Sequence, residues 1–251
     1  MRCVAQTPSD RLRGHGEDRD CYPGLCPRRR TLGASPHSVE LQFHAFFRKL
    51  FMHYIAEDIP REVNGKIWAA LIAPRPLALI STQNAASVPN IAPYSSYAGL
   101  ATYPPMLGIS FSKRGGENKH TLENIKATQV FVVNLVPRYL AEVMNQSAEG
   151  TAIEDDFARL GLTAIQAETV NCPRIGECPA SIECRVTSIF ALPPSKCEFV
   201  AAQITGVYLR DEFVTGSGGF DPMAADLLAS IGAEDYLSLN GETLHLPKTW
   251  G

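Results

Sequence analysis

The 251-residue sequence has no apolar run long enough to cross a membrane and no strong excess of either charge. Its formal net charge of −3 gives no reason to expect nucleic acid as a partner. A composition of 45% hydrophobic and 20% charged residues is typical of a soluble protein with a substantial core. We therefore expect a soluble protein that binds neither membrane nor nucleic acid.

Several sequence motifs that define common enzyme classes are also absent. No G-x-G-x-x-G follows a strand-like run, and the glycines of residues 216–219 have the wrong spacing, so a nicotinamide-binding Rossmann unit is excluded. Neither a Walker phosphate loop nor the hydrolase motif G-x-S-x-G occurs. The six histidines are scattered. His120 is best explained as a helix-start residue and His245 as a structural histidine, although a site at the end of a barrel strand stays open for His245.

The seven cysteines are irregularly spaced and do not form a metal-binding pattern. Cys172 and Cys178 are too far apart for a zinc knuckle, and no histidine lies near them. We predict reduced thiols, no metal site and a cytoplasmic location.

The first fifty residues differ in composition from the rest of the chain. They carry nine basic and five acidic residues, against fourteen basic and twenty-one acidic residues afterwards. Because residues 2–36 show neither helical nor strand periodicity, we expect residues 1–51 to be a disordered extension, with Met52 as the natural initiator and residues 52–251 as the functional domain. The aromatic residues 43–51 could instead form a short helix that packs on the barrel. A basic nucleic-acid-binding arm or a targeting presequence is the alternative, against which the acidic residues at 17, 18 and 20 argue.

The apolar patterning after residue 70 predicts many strands and few, short helices. Strands are predicted at residues 77–82, 88–94, 106–111, 129–135, 182–191 and 199–209. Helices are predicted at residues 119–127 and 138–146, and a capping box at residues 151–154 predicts the start of a third. This order favours a mainly β protein with an antiparallel barrel over an alternating α/β sheet.

Two segments combine the parts that an anionic cofactor tail requires. Residues 90–96 (NIAPYSS) place small and hydroxyl residues at the end of a strand, and residues 119–125 (KHTLENI) place a lysine and a threonine at a helix start. Free amides, hydroxyls and a cation there would bind phosphate. The alternative is an ordinary Asx or Ser turn.

Most of the chain after Met52 resembles the flavin reductase-like family of FMN-binding split barrels, which includes flavoredoxins and the reductase component of nitrilotriacetate monooxygenase. The matching segments occur in the family order: residues 73–82, 90–96, 103–110, 119–125, 131–136, 161–163, 173–175 and 181–184. The resemblance implies an antiparallel Greek-key split β-barrel with a few short helices, one bound FMN and a homodimer. Two turns depart from the family pattern, at residues 83–87 and at the glycines 115 and 116.

The resemblance also implies a set of FMN-binding residues. Ser81 and Thr82 would line the ring, and Asn90, Ala92, Pro93 and Tyr94 would frame the ring and the ribityl chain. The phosphate would be held by Ser95, Ser96, Lys119 and Thr121, with Arg114 as a helper. Phe111, Ser112 and Asn134 would close the pocket. A core aromatic is an equal interpretation of Phe111, as is a hydrogen bond at a strand end for Asn134.

In the family reading, NAD(P)H passes a hydride to the flavin and no catalytic side chain is required, because the flavin carries the chemistry. The reduced flavin then serves a partner oxygenase or another electron acceptor. The residues leave one other hypothesis open, a flavoredoxin-type electron carrier whose flavin is reduced by another protein. A third hypothesis, a cofactor-free split barrel that acts as an interaction domain, is disfavoured by the intact phosphate-binding segments at residues 90–96 and 119–125.

Overall fold

The computed structural model describes residues 53–113, 116–149 and 155–243. The chain divides into two units after Ala56, and the twelve strands and four α-helices of the described residues belong to the second unit, residues 57–251. The predicted extension 1–51, Arg114, the capping box at 151–154 and His245 lie outside the described residues.

The described residues contain twelve strands and four α-helices. The strands are β1 Arg75–Pro76, β2 Ala78–Gln83, β3 Pro89–Tyr94, β4 Tyr97–Thr102, β5 Pro105–Phe111, β6 Val130–Leu135, β7 Ala164–Gln166, β8 Pro173–Ile175, β9 Ala180–Ala191, β10 Glu198–Leu209, β11 Leu228–Ser230 and β12 Tyr236–Ser238. The helices are α1 Arg61–Leu71, α2 His120–Thr128, α3 Ala141–Gln146 and α4 Asp156–Leu160, with single 3-10 turns at Ala56–Asp58, Arg138–Leu140, Ser147–Glu149 and Asp211–Phe213.

A seven-stranded sheet in the order β3-β2-β6-β9-β10-β5-β4 forms the centre of the fold. Every neighbouring pair in it is antiparallel. Strands β9 and β10, of twelve residues each, form the longest hairpin of the sheet and pair with two register shifts, which bend the sheet. Strand β3 lies at one edge, and this edge carries the candidate site.

The inner strands β2 and β6 are buried on both faces, which explains their nearly continuous apolar sequences. Along β2, Ala78 and Ile80 pack into one core, whereas Leu79 faces a second core that contains Ile91 and Phe157. Because successive side chains of a strand point to opposite faces, this alternation requires a covering layer on each side of β2. Helix α2 supplies part of one layer through Leu122 and Ile125.

The predicted fold class is confirmed, because the structure is mainly β, antiparallel and has few short helices. The six predicted strands and the helix at 119–127 occur within two residues of their predicted ends, and the helix predicted at 138–146 begins as a 3-10 turn before α3. The sequence analysis did not predict β4 or α1. Strand β4 is mostly exposed and contains Gly99, so its pairing with β5 and not its own composition makes it a strand.

Candidate functional site

The candidate site is a cavity of about 540 Å³ between strand β3 and the start of helix α2, called here the inner cavity. It combines a strand edge with a helix N-terminus, and its volume is within the usual range for small-molecule sites. Its lining residues are Asn90, Ile91, Ala92, Pro93, Tyr94, Ser112, Lys113, Glu117, Asn118, Lys119, His120, Thr121, Ser147 and Ala148.

The first turn of α2 presents unpaired backbone amides to the inner cavity. The N-cap residue Lys119 has an extended backbone and its side chain does not cap the helix. Its carbonyl accepts hydrogen bonds from the amides of Leu122 and Glu123, at 3.0 and 3.2 Å. Within the described part of the chain, the amides of His120 and Thr121 have no backbone partner. Such a helix start attracts an anion through its amides and its dipole.

Tyr94 adds a buried hydroxyl without a hydrogen-bond partner among the described residues. Burial raises the pKa of Tyr94 to about 12, an effect that the neighbouring Thr121 hydroxyl partly offsets. The Lys119 ammonium lies 5.1 Å from the centre of the Tyr94 ring. The Tyr94 hydroxyl forms no hydrogen bond of ordinary length among the described residues, and its nearest protein partner is the Thr121 hydroxyl, so the two hydroxyls together are a candidate position for a polar ligand atom.

Two amide-to-hydroxyl hydrogen bonds fix the position of α2 against the sheet. Asn90 Nδ2 donates to Thr121 Oγ1 at 3.2 Å, and Asn124 Nδ2 donates to Thr82 Oγ1 at 3.1 Å. All four residues are buried. Thr82 therefore does not line the inner cavity as expected from the sequence, because its hydroxyl is used to hold the helix.

Asn134 and Ser81 likewise lie behind the cavity in a fully buried network, and not at its surface. Asn134 Nδ2 donates to the Leu79 carbonyl and to Ser81 Oγ, both at 3.0 Å. Its Oδ1 accepts from the Ile175 amide and from Ser181 Oγ, both at 2.9 Å. These two side chains therefore join β2, β6, β8 and β9, and neither lines the inner cavity, whereas their expected place at the flavin ring stays a prediction.

Three other residues that were expected at the FMN site, Ser95, Ser96 and Phe111, do not line the inner cavity. Phe111 is a core aromatic whose ring centre lies 5.0 Å from that of Tyr94 in an edge-on arrangement. Ser96 Oγ donates to the Ser110 carbonyl at 2.7 Å. Ser95 lines a second cavity, together with Arg75. Neither serine joins Lys119 and Thr121 in the inner cavity, because β3 ends before them and the chain turns into β4.

The second cavity, called here the outer cavity, has a volume of about 480 Å³ and shares Pro93, Tyr94 and Ala148 with the inner one. Its other lining residues come from α1, β1, α3 and the segment around β11 and β12: Gly65, Ala69, Arg75, Leu77, Ser95, Met144, Asn145, Ser230, Gly232, Ala233 and Tyr236. The two cavities therefore adjoin at the end of β3.

The inner cavity also contains residues that were not predicted from the sequence. Lys113 adds a second lysine to the inner cavity, and Ser147 and Ala148 form its wall. Lys113 could have been predicted as a site residue, because it directly follows Ser112, which was expected to close the pocket. Ser147 and Ala148 lie outside every segment that resembles the family, so nothing in the sequence marked them.

The edge of β3 is protected from pairing with another strand. Pro89 and Pro93 have no amide hydrogen, and the Ile91 amide donates to Asp156 Oδ2 at 2.8 Å. Asp156 is fully buried and is held by Arg159, whose Nη2 lies 2.7 Å from Oδ1. These three positions of the edge therefore offer no free amide to another strand.

The charged side chains that line the inner cavity suit a ligand that carries a phosphate group. The ionised side chains that line the inner cavity are two lysines and one glutamate, so the lining carries a net positive charge when His120 is neutral. Within the described ranges, no three His, Cys, Asp or Glu side chains gather as a metal site would require, and no helix is long and apolar enough to span a membrane.

These features define a split barrel with a cavity lined by cationic and hydroxyl side chains at one sheet edge. The family model for the flavin reductase like domain matches residues 71–223, and the chain belongs to this family of flavin-binding proteins. The resemblance inferred from the sequence is thereby confirmed.

Known proteins of similar sequence and structure agree with this assignment. An uncharacterized protein of Halalkalibacterium halodurans is 27% identical over 198 residues, which are 76% of this chain and 94% of the relative. Nitrilotriacetate monooxygenase component B of Bacillus cereus is 22% identical, with a TM-score of 0.73 over 78% of this chain and 98% of that one. A protein of Shewanella frigidimarina with a split barrel domain is 25% identical, with a TM-score of 0.71 over 79% and 100% of the two chains.

An FMN-binding protein of Thermus thermophilus is 17% identical, with a TM-score of 0.63 over 78% of this chain and 100% of that one. At this identity, as for the Bacillus cereus protein, the likeness shows the fold alone.

Proposed function

We propose that the inner cavity binds FMN and that the protein is an NAD(P)H-dependent flavin reductase. The observation that carries the proposal is the uncapped start of α2 beside the unpartnered Tyr94 hydroxyl. A terminal phosphate monoester would accept hydrogen bonds from the amides of His120 and Thr121 and from the Lys119 ammonium. FMN is favoured over FAD because it ends in such a monoester.

The other residues of the inner cavity have roles that follow from their positions. Thr121 is held in place by Asn90, so its hydroxyl stays at the phosphate end. Ala92, Pro93 and Tyr94 form the strand edge along which the ribityl chain and the ring would lie. When bound, FMN supplies a two-electron hydride acceptor, so the protein needs to bind, orient and tune it and requires no nucleophile of its own.

We expect the hydride donor, NADH or NADPH, to bind weakly. No residue can be assigned to the ribose of NADH or NADPH, because the fold has no Rossmann unit to place one. The nicotinamide would stack on the open ring face, and both donors are candidates. The physiological acceptor would be a partner oxygenase or another electron acceptor, for which the likeness to a monooxygenase component B is a reason.

Anaerobic mixing of the FMN-loaded protein with NADH or NADPH tests the reductase proposal. We expect the flavin absorbance to bleach at a rate that rises with donor concentration. An absorbance that survives both donors but bleaches with dithionite would instead identify an electron carrier reduced by another protein. The same experiment with free FMN and no protein gives the uncatalysed rate.

We also propose that the protein is a homodimer. None of the residues 62–71 of helix α1 is buried, and Trp68 and Leu71 are 41% and 69% exposed. A helix of eleven residues is not stable by itself in water, so a covering partner surface is expected. A second copy related by a two-fold axis is the simplest partner. Sedimentation equilibrium of the wild type and of Trp68→Glu tests this, and a monomeric wild type would contradict it.

A further inference from the structure

Arg75 is the one charged residue among those that line the outer cavity. It belongs to β1, directly before the strand that carries Leu79 and Ile80. Its side chain reaches the end of β3, where the inner and outer cavities adjoin. A cation at this position affects any charge that develops on a ligand shared by the two cavities.

All five guanidinium hydrogens of Arg75 are used, and every acceptor is a neutral oxygen. Nε donates to Ser95 Oγ at 3.3 Å, and Nη2 donates to Ser230 Oγ at 2.6 Å and to the Gly232 carbonyl at 3.0 Å. Nη1 donates to the carbonyls of Ala69 and, at 3.4 Å, Ile72.

Two consequences follow from this arrangement. The guanidinium is fixed by three separate segments of the chain, so its position does not depend on a ligand. Among the described residues, no carboxylate forms an ion pair with it. Its positive charge therefore remains available to a neighbouring anion in a half-buried site, where screening by water is reduced.

Strand β3 connects this cation to the phosphate end of the site. Asn90 contacts Thr121 at one end, and Ser95 contacts Arg75 just after the other. Five residues of extended chain span about 16 Å. A ligand anchored by phosphate at Thr121 and extended along this edge would bring its opposite end next to Arg75.

We propose that Arg75 stabilises the negative charge of the reduced flavin and thereby raises its reduction potential. The proposal rests on the FMN site proposed above. A hydride from NAD(P)H delivers two electrons and one proton, NAD(P)+ leaves, and the neutral oxidised ring becomes an anion unless a second proton follows. A fixed cation stabilises the anion and not the neutral oxidised ring, so it favours reduction.

The test compares reduction potentials of the FMN-loaded wild type, Arg75→Met and Arg75→Lys, measured by equilibrium with a reference dye. Arg75→Met removes the charge, and we expect reduced FMN to lose at least about tenfold in affinity relative to oxidised FMN, which lowers the potential by about 30 mV. Arg75→Lys keeps the charge and should retain most of the wild-type potential. Arg185→Met, which removes an exposed arginine that lines neither cavity, should leave the potential unchanged.

A measurement on the wild type keeps the proposal testable if Arg75→Met does not fold. The potential of free FMN falls by about 60 mV per pH unit while two protons accompany two electrons, and by about 30 mV per pH unit once the reduced ring keeps only one. In the protein this change of slope should move to lower pH than in free FMN.

The possible outcomes separate the inference from the proposed function. A slope change at the same or higher pH than in free FMN overturns the role of Arg75, as does an Arg75→Met protein whose potential equals that of the wild type. A wild type that takes up no FMN overturns both the cofactor assignment and this inference.

Discussion

Replacement of Lys119 by alanine tests the phosphate end of the inner cavity. The ammonium lies beside Tyr94 at the start of α2, where unpaired amides also face the cavity. A charge-assisted hydrogen bond contributes about 1.5–3 kcal/mol, so we expect the dissociation constant of FMN to rise by about 10- to 150-fold. The apoprotein also loses the contact of the ammonium with the Tyr94 ring, which contributes about 1 kcal/mol or less.

Titration with FMN and, in parallel, with riboflavin measures this effect. Riboflavin lacks the phosphate, so its affinity should be nearly the same for the wild type and Lys119→Ala. Lys126→Ala is the matched control, because it removes the same charge from the same helix about 10 Å further along. Its ammonium pairs with Glu198 at 3.0 Å and lies outside the inner cavity. Equal losses for FMN and riboflavin, or an unchanged FMN affinity, would refute the phosphate assignment.

Four further predictions follow from the structure. Tyr94→Phe removes a buried hydroxyl that has no hydrogen bond of ordinary length, so the free energy of unfolding of the apoprotein in urea should rise by up to about 1 kcal/mol, whereas FMN should bind about 1 kcal/mol more weakly. A less stable apoprotein would show that the hydroxyl already has a partner. Asn134→Ala should destabilise the protein by about 3 kcal/mol by leaving buried groups unpaired, but change FMN affinity of the folded protein by less than about threefold. Deletion of residues 1–51 should leave the melting temperature and the FMN content unchanged, and a large fall in melting temperature would show that the aromatic residues before Met52 pack on the barrel. Burial raises the pKa of Cys172 to about 12 and also raises the pKa values of Cys178 and Cys184, so the folded protein holds protons that the unfolded thiols lose near pH 8.5. This stability is present below that pH and declines as the pH rises above it, by up to about 1.4 kcal/mol per pH unit for each thiol, and urea unfolding at pH 7.5 and 9.5 measures the combined effect.

The sequence predicted the strands that are buried on both faces better than any other part of the fold. Strands such as β2 and β6 have continuous apolar runs because both of their faces are covered. Strand β4 has no such signal, since its exposed residues follow only from its pairing with β5. Helix α1 was also missed, because none of its residues 62–71 is buried and its sequence contains Gly65.

Some of the residues expected at the site line the inner cavity and others do not, and the difference has a common physical cause. Residue types suited to binding a flavin, such as the hydroxyls of Ser81 and Thr82 and the amide of Asn134, are equally suited to joining buried strands. Only the fold shows which polar groups already have protein partners. Arg75, in contrast, was not predicted as a site residue, because the contacts that hold its side chain come from residues more than 150 positions away, such as Ser230 and Gly232.

A crystal structure of the protein with FMN tests the central claim most directly. We predict the phosphate at the start of α2, within hydrogen-bonding distance of the Thr121 amide and the Lys119 ammonium, and the ring at the end of β3. A phosphate bound elsewhere, or a ring outside both cavities, would contradict the account.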